Sequence, residues 1–358
     1  MDTLQLALAL DENMKRNMSL MQQFDASSIR HHKLKKRNRL RQTNYPKRIV
    51  TEERWRHFFN NDPSINFIAK DFFIDATGPE DEKLNFLGNS ILILSNTPPQ
   101  YGENNLNTLI SFFNLCLKLE NTIIAVWDWD NHHHLHISSV LSASADLYFP
   151  SHKAQNLELN LLCDCFRRLP LSSHQWDDRF MAKHIHEVIN HNRRNDIAGY
   201  YVRYEMFGRR NEHIQLLNAK LKNVKFVETT RYWERSLYDR LIEWLEFKCQ
   251  WIIPTLNDIS TRVFDSLITG NVVIIPERFR FDESLSELHE DDCVYYTDQD
   301  ILDPSEVCRQ ALEKFDRWGE LGILRRVNFG LDNNLDKRIF EMRRIIREDF
   351  FMDHKEWR

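Results

Sequence analysis

The sequence predicts an α/β protein made of two domains, and three observations support this fold class. The chain has 358 residues, which is enough for two domains of ordinary size. From residue 89 onward, short apolar runs alternate with helical segments, as they do in proteins built on parallel sheets. Turn-forming residues interrupt the alternation at 169–176, and we place the boundary between the two domains there.

A helical and basic extension is predicted for residues 1–48, ahead of the first domain. Residues 1–24 have the apolar spacing of an amphipathic helix. Residues 30–48 contain nine Lys and Arg residues and no acidic residue. This run suits an anionic surface such as lipid headgroups or nucleic acid, and it also fits a solvated basic linker.

The first domain is predicted over residues 49–170. Three apolar runs in this domain are typical of buried strands, and a helix is predicted after each of the first two strands. The predicted strands are 90–95, 122–127 and 145–150, and the predicted helices are 105–119 and 138–145.

The second domain is predicted over residues 171–330, with the same alternation of strands and helices. The last segment, residues 331–358, contains a charged amphipathic helix that is predicted to pack back on the first domain. The predicted strands of the second domain are 196–203, 224–228, 251–254, 272–276 and 293–296, and the predicted helices are 210–221, 234–246, 260–269 and 304–318, followed by the terminal helix 334–351.

Glycine is scarce, and its positions exclude several phosphate-binding motifs. Only nine residues are Gly, whereas roughly 7% of residues is usual. No two of them form G-x-G, and none begins a G-x-x-x-x-G-K run. The dinucleotide fingerprint, the P-loop and the G-x-S-x-G nucleophile elbow are therefore absent. A phosphorylated ligand would have to be held by another device.

Charge, cysteine content and hydropathy restrict the setting of the protein. The formal net charge is -5, which argues against a protein that coats nucleic acid, so no nucleic-acid partner is expected. The six cysteines lack the spacing of a disulfide framework or a zinc site, which is typical of a reducing compartment. Residues 1–10 lack the features of a signal peptide, and no apolar run is long enough to span a membrane. These observations predict a cytoplasmic protein.

The most informative run is 257–276, which passes from a strand end through capping residues into a helix and then into a buried strand. The backbone N–H groups of Ser260, Thr261 and Arg262 would be free at the helix start, where the helix dipole favours an anion. The guanidinium fork of Arg262 suits a phosphate. Asp265 lies one turn further along the same face, where its carboxylate could accept hydrogen bonds from ribose hydroxyls. A capped crossover helix without any ligand has the same pattern.

The same run resembles the donor-binding segment of glycosyltransferases of the GT-B architecture, particularly the exostosin-like and group-1 enzymes. Those enzymes carry Ser-x-Arg-x-x-Glu-Ala-Leu-x-x-Gly before a Val/Ile strand. The chain departs from this pattern in two places, because Asp265 replaces the usual Glu and Asn257 stands where a second Glu is expected. The matching residues are Ser260, Arg262, Asp265, Leu267 and Gly270.

The resemblance extends more loosely over residues 85–330 and implies two Rossmann-like domains that face a cleft. It implies transfer of a sugar from a nucleotide-activated donor to a hydroxyl acceptor, with no tightly bound cofactor and no metal. Positive charges would stabilise the diphosphate as the glycosidic bond breaks, and Asp265 would hold the ribose. The residues implied at the diphosphate are Arg203, Arg209, Arg210, Ser260, Thr261 and Arg262.

A second candidate region, residues 128–136, carries two aspartates and four histidines after a predicted strand. Alternate residues of an extended chain could ligate a divalent metal, and Asp128-Trp-Asp130 resembles the metal-diphosphate motif of the GT-A architecture. In a GT-B enzyme, a His or Asp here would act as a general base toward the acceptor or would hold the donor sugar. We favour this third interpretation, with His133 and then Asp130 as catalytic candidates. A solvated His-rich loop is the alternative without chemistry.

The predicted acceptor is a glycan, a lipid-linked sugar or a protein, during assembly of a surface glycan such as lipopolysaccharide, capsule or glycoprotein. Trp127, Trp129 and Tyr101 are candidates for stacking on the acceptor. Residues 30–48 would then attach the protein to the anionic inner face of the membrane. Two rival interpretations remain, namely a non-catalytic α/β protein that binds nucleic acid or a partner, and a metal-dependent enzyme that uses residues 128–136.

Overall fold

The chain forms two compact units, each built on its own parallel sheet. The first unit comprises the described residues of Ala7–Pro170 and Ile339–Arg358, and the second unit comprises Leu171–Arg338. The computed structural model of the chain describes residues 26–42, 44, 46–59, 62–69, 71–74, 78–95, 106–128, 144–151, 167–205, 207–228, 232, 234–255 and 259–351.

The first unit contains a five-stranded sheet in the order β2-β1-β3-β4-β5, and all of its strand pairs are parallel. Its two central strands, β3 and β4, are buried along their whole length, as expected of a parallel sheet that is covered on both faces. The strands are β1 (Ile49–Glu52), β2 (Ile65–Ile68), β3 (Ile91–Ser95), β4 (Ile123–Asp128) and β5 (Leu147–Pro150), and the helices are α1 (Ala26–Leu40), α2 (Arg56–Phe59), α3 (Glu80–Leu87) and α4 (Leu106–Lys118).

Helix α1 carries much of the basic segment, and part of its charge is used inside the first unit. Lys36 is buried and forms an ion pair of 2.6 Å with Asp146, which also accepts a hydrogen bond from the Ile124 backbone at 2.8 Å. Arg39 pairs with Glu120. Both acidic residues precede their strands, so α1 contacts the amino edge of this parallel sheet.

The second unit contains a five-stranded sheet in the order β10-β9-β8-β6-β7, which is also parallel throughout. The strands are β6 (Arg194–Tyr201), β7 (Val224–Phe226), β8 (Phe247–Trp251), β9 (Val272–Pro276) and β10 (Cys293–Tyr296), and the helices are α5 (Asp178–Asn190), α6 (Gly208–Asn218), α7 (Leu237–Leu245), α8 (Thr261–Ile268), α9 (Asp298–Leu302), α10 (Ser305–Arg317), α11 (Gly319–Asp332) and the start of α12 (Leu335–Phe351).

Helix α8 is fixed at both ends and along one side. At its start, the Ser260 hydroxyl accepts a hydrogen bond from the Arg262 backbone N–H at 3.3 Å. At its end, Gly270 has a φ of +78°, a left-handed conformation that glycine adopts without strain. Gly330 of α11 lies against it so closely that an added Cβ would be 2.4 Å from the Ile268 backbone nitrogen. The position of α8 is therefore tightly constrained.

Most predicted elements are confirmed to within a few residues, and the differences concern two short strands, one strand boundary and several helices. Strands β1 and β2 were not predicted, because each has only four residues and mixes polar with apolar side chains. Strand β8 covers Phe247–Trp251 rather than residues 251–254, since the apolar run continues beyond the last paired residue. Part of the basic segment forms α1, and helices α2, α3, α5, α9 and α11 were also not predicted. The predicted helix 1–24 and residues 138–143 of the predicted helix 138–145 lie outside the described residues.

Candidate functional site

A cavity of about 470 Å³ lies in the second unit at the carboxyl ends of the central strands. It is lined by Val202 just after β6, Val227 just after β7 and Ile253 just after β8. Strand β6 has β7 on one side and β8 on the other, so the chain reverses its direction across the sheet here. Ligands of doubly wound α/β domains bind at this kind of position.

Two arginines that line the cavity stack on a single buried ring. The guanidinium carbons of Arg210 and Arg262 lie 5.2 and 5.3 Å from the centroid of the Tyr201 ring. Tyr201 is fully buried; its hydroxyl donates to the Trp251 carbonyl and accepts from the Ile253 backbone N–H at 3.0 Å. Arg210 also donates to the Val202 carbonyl at 2.9 Å. The ring therefore holds two positive charges at the cavity wall.

The start of helix α8 forms another part of the same wall. Ser260 and Thr261 both line the cavity, beside Arg262. The first backbone N–H groups of a helix receive no carbonyl from a preceding turn, and the helix dipole makes this end favourable for an anion. The prediction of a free N–H at Arg262 is wrong, because this group donates to the Ser260 hydroxyl. Together with the two guanidiniums, the helix start can bind a doubly charged phosphate group without a glycine-rich loop.

Asp265 places a carboxylate in the cavity, one turn into α8. The residue is only 4% exposed, and its two carboxylate oxygens accept hydrogen bonds from Ser173 Oγ at 2.7 Å and Gln175 Nε2 at 2.9 Å. Burial raises the pKa of Asp265 to about 6, while these two hydrogen bonds and the positive charges of Arg262 and Arg240 act in the opposite direction. This carboxyl group therefore titrates just below neutral pH.

Gln175 connects Asp265 to an aromatic part of the cavity wall. Its side-chain oxygen accepts hydrogen bonds from the Tyr232 hydroxyl at 2.8 Å and from Arg240 Nη1 at 3.3 Å. The Trp244 indole N–H donates to the Tyr232 oxygen at 3.0 Å. Gln175, Tyr232 and Trp244 all line the cavity.

Five of the predicted donor-binding residues line this one cavity, and two do not. Arg203 is exposed, with its guanidinium carbon 4.6 Å from the centroid of the Phe226 ring. Arg209 is also exposed and pairs with Asp298. The five residues in the cavity are Arg210, Ser260, Thr261, Arg262 and Asp265.

The residues predicted for the acceptor and for catalysis belong to the first unit. Trp127 is fully buried in β4, and its indole N–H donates to the Leu169 carbonyl at 3.2 Å. A core position leaves no ring face on which an acceptor could stack, because both faces of this sheet are covered. Asp128 is buried as well and accepts a hydrogen bond from the Tyr148 hydroxyl. The other four predicted residues, Tyr101, Trp129, Asp130 and His133, lie outside the described residues.

The described ranges contain neither a cluster of metal ligands nor a membrane-spanning helix. Among these residues, no group of three or more His, Cys, Asp or Glu side chains is placed to hold a metal ion. Residues 129–136 of the predicted cluster lie outside these ranges. No helix in the described part of the chain is long and apolar enough to cross a membrane.

Sequence reasoning missed Gln175, Tyr232 and Trp244. Gln175 falls in the turn-forming run that was interpreted only as a domain boundary, and Tyr232 follows β7 in a segment without periodicity. The position of Tyr232 in the sequence could have indicated a role in the site, since this residue follows a predicted strand whose carboxyl end lies at the cavity edge of the sheet. No pattern in the sequence indicates the bond between Gln175 and Asp265, which are 90 residues apart.

One solved structure in particular agrees with this architecture. No protein-family model matches the sequence, and no curated protein matches it either. Among solved structures, the chain is similar to an alpha-glucosyltransferase in complex with UDP and a 13-mer DNA containing a central A:G mismatch, with a TM-score of 0.56 and 10% identity over 83% of this chain and 98% of that one. It is also similar to HepE of Anabaena in complex with UDP, with a TM-score of 0.46 and 7% identity over 84% and 99%.

The first comparison establishes the class of fold. Two parallel five-stranded sheets with flanking helices make this an α/β protein of two Rossmann-like units. The fold is that of the GT-B glycosyltransferases, to which the sequence resemblance pointed. The fold class predicted from the sequence is therefore confirmed.

Proposed function

We propose that this protein is a glycosyltransferase that moves a sugar from a nucleotide-activated donor to a hydroxyl acceptor, and that the donor binds in the cavity of the second unit. The observation that carries the proposal is the stacking of Arg210 and Arg262 on Tyr201, beside the start of α8 and the buried carboxylate of Asp265. Positive charge, free backbone N–H groups and one carboxylate are what the diphosphate and ribose of a nucleotide sugar require.

The diphosphate is the leaving group of the reaction, and its binding site supplies most of the proposed catalysis. The bond between the anomeric carbon and the phosphate oxygen breaks, a bond to the acceptor oxygen forms, and the nucleoside diphosphate departs. Negative charge grows on the phosphate oxygen as its bond breaks. Arg210, Arg262 and the N–H groups at Ser260 and Thr261 stabilise that charge, because they are already oriented before the reaction.

Asp265 is assigned to the ribose of the donor. A carboxylate is a strong acceptor for two adjacent hydroxyl groups, and ionised acceptors form stronger hydrogen bonds than neutral ones. Ser173 and Gln175 fix the rotamer of Asp265 without occupying every acceptor position, since each carboxylate oxygen has two.

The acceptor side of the reaction is assigned to the first unit. We retain His133, followed by Asp130, as the group that takes the proton from the acceptor hydroxyl. Histidine suits this role because its ordinary pKa is close to neutral pH. Alanine variants of both residues should abolish transfer to the acceptor while leaving the affinity for UDP unchanged, because a base that acts on the acceptor hydroxyl does not hold the nucleotide.

A binding experiment with the full chain tests the donor proposal. UDP, GDP, ADP, CDP and dTDP are each added to the protein, and the melting temperature and the calorimetric Kd are measured. At least one of them should raise the melting temperature, and the corresponding nucleotide sugar should be hydrolysed slowly to the nucleoside diphosphate and free sugar in the absence of acceptor. The proposal fails if none of the five nucleotides binds.

The same preparation separates two classes of acceptor. We propose a surface glycan, a lipid-linked sugar or a protein as acceptor, and the solved alpha-glucosyltransferase similar in fold was crystallised with DNA, so duplex DNA is the specific alternative. Donor turnover should rise when the true acceptor is added. If glycan or lipid-linked acceptors increase donor turnover, the first class of acceptor is supported. If duplex DNA alone increases it, the acceptor is DNA and the first class is wrong.

The basic segment 30–48 is proposed to contact the anionic inner face of the membrane. Lys35 and Arg41 are exposed, unlike the buried Lys36, so they are the charges to change. The double variant Lys35→Glu and Arg41→Glu should lose binding to vesicles that contain phosphatidylglycerol, with vesicles of pure phosphatidylcholine as control. Unchanged binding of the double variant would eliminate this proposal.

A further inference from the structure

A continuous set of hydrogen bonds crosses the candidate donor cavity and has Gln175 at its centre. Gln175 Nε2 donates to Asp265 at 2.9 Å, and Gln175 Oε1 accepts from Tyr232 at 2.8 Å and from Arg240 at 3.3 Å. The Tyr232 oxygen in turn accepts from Trp244 Nε1 at 3.0 Å. Gln175 is only 3% exposed, so water does not compete for these bonds.

The partners of Gln175 permit a single orientation of its amide. Asp265 offers only acceptor oxygens when it is ionised, and Arg240 offers only donors. If the amide were turned by 180°, its oxygen would face the carboxylate and its NH₂ group would face the guanidinium of Arg240. Both contacts would then be repulsive. The charges on either side therefore fix the amide, and the amide fixes the carboxylate.

We propose that Gln175 is a positioning residue of the donor site: it holds the Asp265 carboxylate in the orientation that accepts the ribose hydroxyls, and it couples that carboxylate to Tyr232 in the cavity wall. This inference rests on the proposed function, because it requires a nucleotide donor in the cavity. An Asp265 carboxylate held in this orientation makes the site selective for ribonucleotides over 2′-deoxyribonucleotides, since the 2′-hydroxyl is one of the two groups that Asp265 would bind.

The charged and titratable groups around Asp265 support an ionised carboxylate near neutral pH. Burial raises the pKa of Asp265, whereas the hydrogen bonds from Ser173 and Gln175 and the charges of Arg262 on the same helix and Arg240 on α7 lower it and favour the ionised form. Tyr232 is the remaining titratable neighbour, and its pKa is raised by burial and by the charge of Asp265, so it stays a neutral donor. Removal of Gln175 takes away one hydrogen bond that lowers the pKa of Asp265. The pKa of Asp265 should therefore rise further, because the effect of burial remains.

The first test measures selectivity for ribose with UDP and 2′-deoxy-UDP, or with GDP and 2′-deoxy-GDP if the protein prefers guanine. Wild-type protein should bind the ribonucleotide about tenfold more tightly, the usual effect of one hydrogen bond to a charged group. Gln175→Met keeps the approximate size of the side chain but removes both polar atoms, and it should reduce this ratio toward one. Gln310→Met, at an exposed position on α10, is the matched control and should retain the ratio.

A merely structural role for Gln175 gives a different result. Loss of packing would reduce the affinities for UDP and 2′-deoxy-UDP by the same factor and leave the ratio of the two affinities unchanged. That result would overturn the inference. The double variant Gln175→Met with Asp265→Asn gives a further check. Its ratio should equal that of Asp265→Asn alone, because Gln175 acts through Asp265. Additive losses of the ratio would also contradict the proposal.

The second test measures the pH dependence of binding with UDP-glucose, whose phosphates do not titrate near neutral pH. The pH at which affinity is half lost should move upward in Gln175→Met. It should move further in Gln175→Glu, because two carboxyl groups would then face each other and share a proton. If Gln175→Met does not fold, Gln175→Glu and Tyr232→Phe take its place. Tyr232→Phe removes one hydrogen-bond donor to the Gln175 amide, so it should partially lower the ratio of the affinities for the ribonucleotide and its 2′-deoxy counterpart.

The outcomes separate this inference from the proposed function. If the wild-type protein binds none of the nucleoside diphosphates, the proposed function fails. If the wild type binds a ribonucleotide and its deoxy counterpart equally, or if the Gln175 variants keep both the ratio and the pH midpoint of the wild type, the donor site stands and the role of Gln175 is wrong.

Discussion

Replacement of Arg262 by alanine is the most direct perturbation of the candidate donor site. The guanidinium of Arg262 lies over the Tyr201 ring and lines the cavity next to the start of α8. A hydrogen bond between charged groups contributes about 1.5–3 kcal/mol, which corresponds to a loss of affinity of about tenfold to 150-fold. Arg262→Ala should therefore reduce the affinity for UDP by at least tenfold at about 0.15 M salt.

The size of the loss should depend on the number of phosphates in the ligand. If Arg262 contacts the phosphate farther from the ribose, UMP should lose less affinity than UDP, and uridine should lose almost none. Isothermal titration calorimetry measures all three ligands on the variant and the wild type. Arg309→Ala is the control, because Arg309 is exposed on α10 and pairs with Glu306 and Glu313.

The thermal stability of the free protein gives an independent signature. Arg210 and Arg262 carry like charges close to the same ring, so they repel each other when no anion is bound. Removing one of them should leave the melting temperature of the free protein unchanged or slightly higher while it weakens UDP. The reasoning is refuted if Arg262→Ala binds UDP within threefold of wild type, or if the substitution weakens the binding of uridine as much as the binding of UDP.

Three further perturbations test the surroundings of these arginines. Since burial raises the pKa of Asp265 from its ordinary 3.8 to about 6, its ionised form costs the folded protein about 3 kcal/mol at pH 7. Wild-type stability should fall by that amount relative to Asp265→Asn between about pH 3 and pH 7, measured by urea unfolding. Affinity for UDP-glucose should rise with pH up to about 6 and then level off, and it should be flat in Asp265→Asn. Tyr201→Leu should weaken UDP about tenfold through the loss of two ring contacts, whereas Tyr201→Phe keeps them; calorimetry distinguishes the two. Gly330→Ala should cost more than about 2 kcal/mol in urea unfolding, because its Cβ would lie 2.4 Å from the Ile268 backbone.

The sequence predicted those parts of the site that depend only on residues close together along the chain, such as helix caps, helix ends and apolar strands. Ser260 as a cap, Gly270 as the helix end and the Val/Ile run of β9 follow one another along the chain, so their spacing alone places Arg262 and Asp265 on one helix. Strands β9 and β10 were predicted with their observed bounds for the same reason: each is a short apolar run between clear turn signals.

The part that the sequence did not predict depends on contacts between distant residues. Ser173 and Gln175 reach Asp265 across about 90 residues of sequence, and no periodicity indicates such a pairing. Tyr201 was assigned only to a strand, although its ring holds both arginines of the cavity. The prediction for Trp127 failed to account for burial, because a tryptophan within a strand of a doubly covered sheet is part of the core.

The position of helix α1 limits what its basic side chains can do. Lys36 and Arg39 pair with Asp146 and Glu120, which precede β5 and β4 and therefore mark the amino edge of the first sheet. Asp128 marks the opposite, carboxyl edge of β4. A strand of this length separates the two edges by about 20 Å. One small ligand at the carboxyl edge, where α/β sheets bind substrates, cannot touch those two basic side chains at the same time. Charge reversal at the exposed Lys35 and Arg41 should leave the affinity for UDP unchanged, because UDP is proposed to bind in the cavity of the second unit.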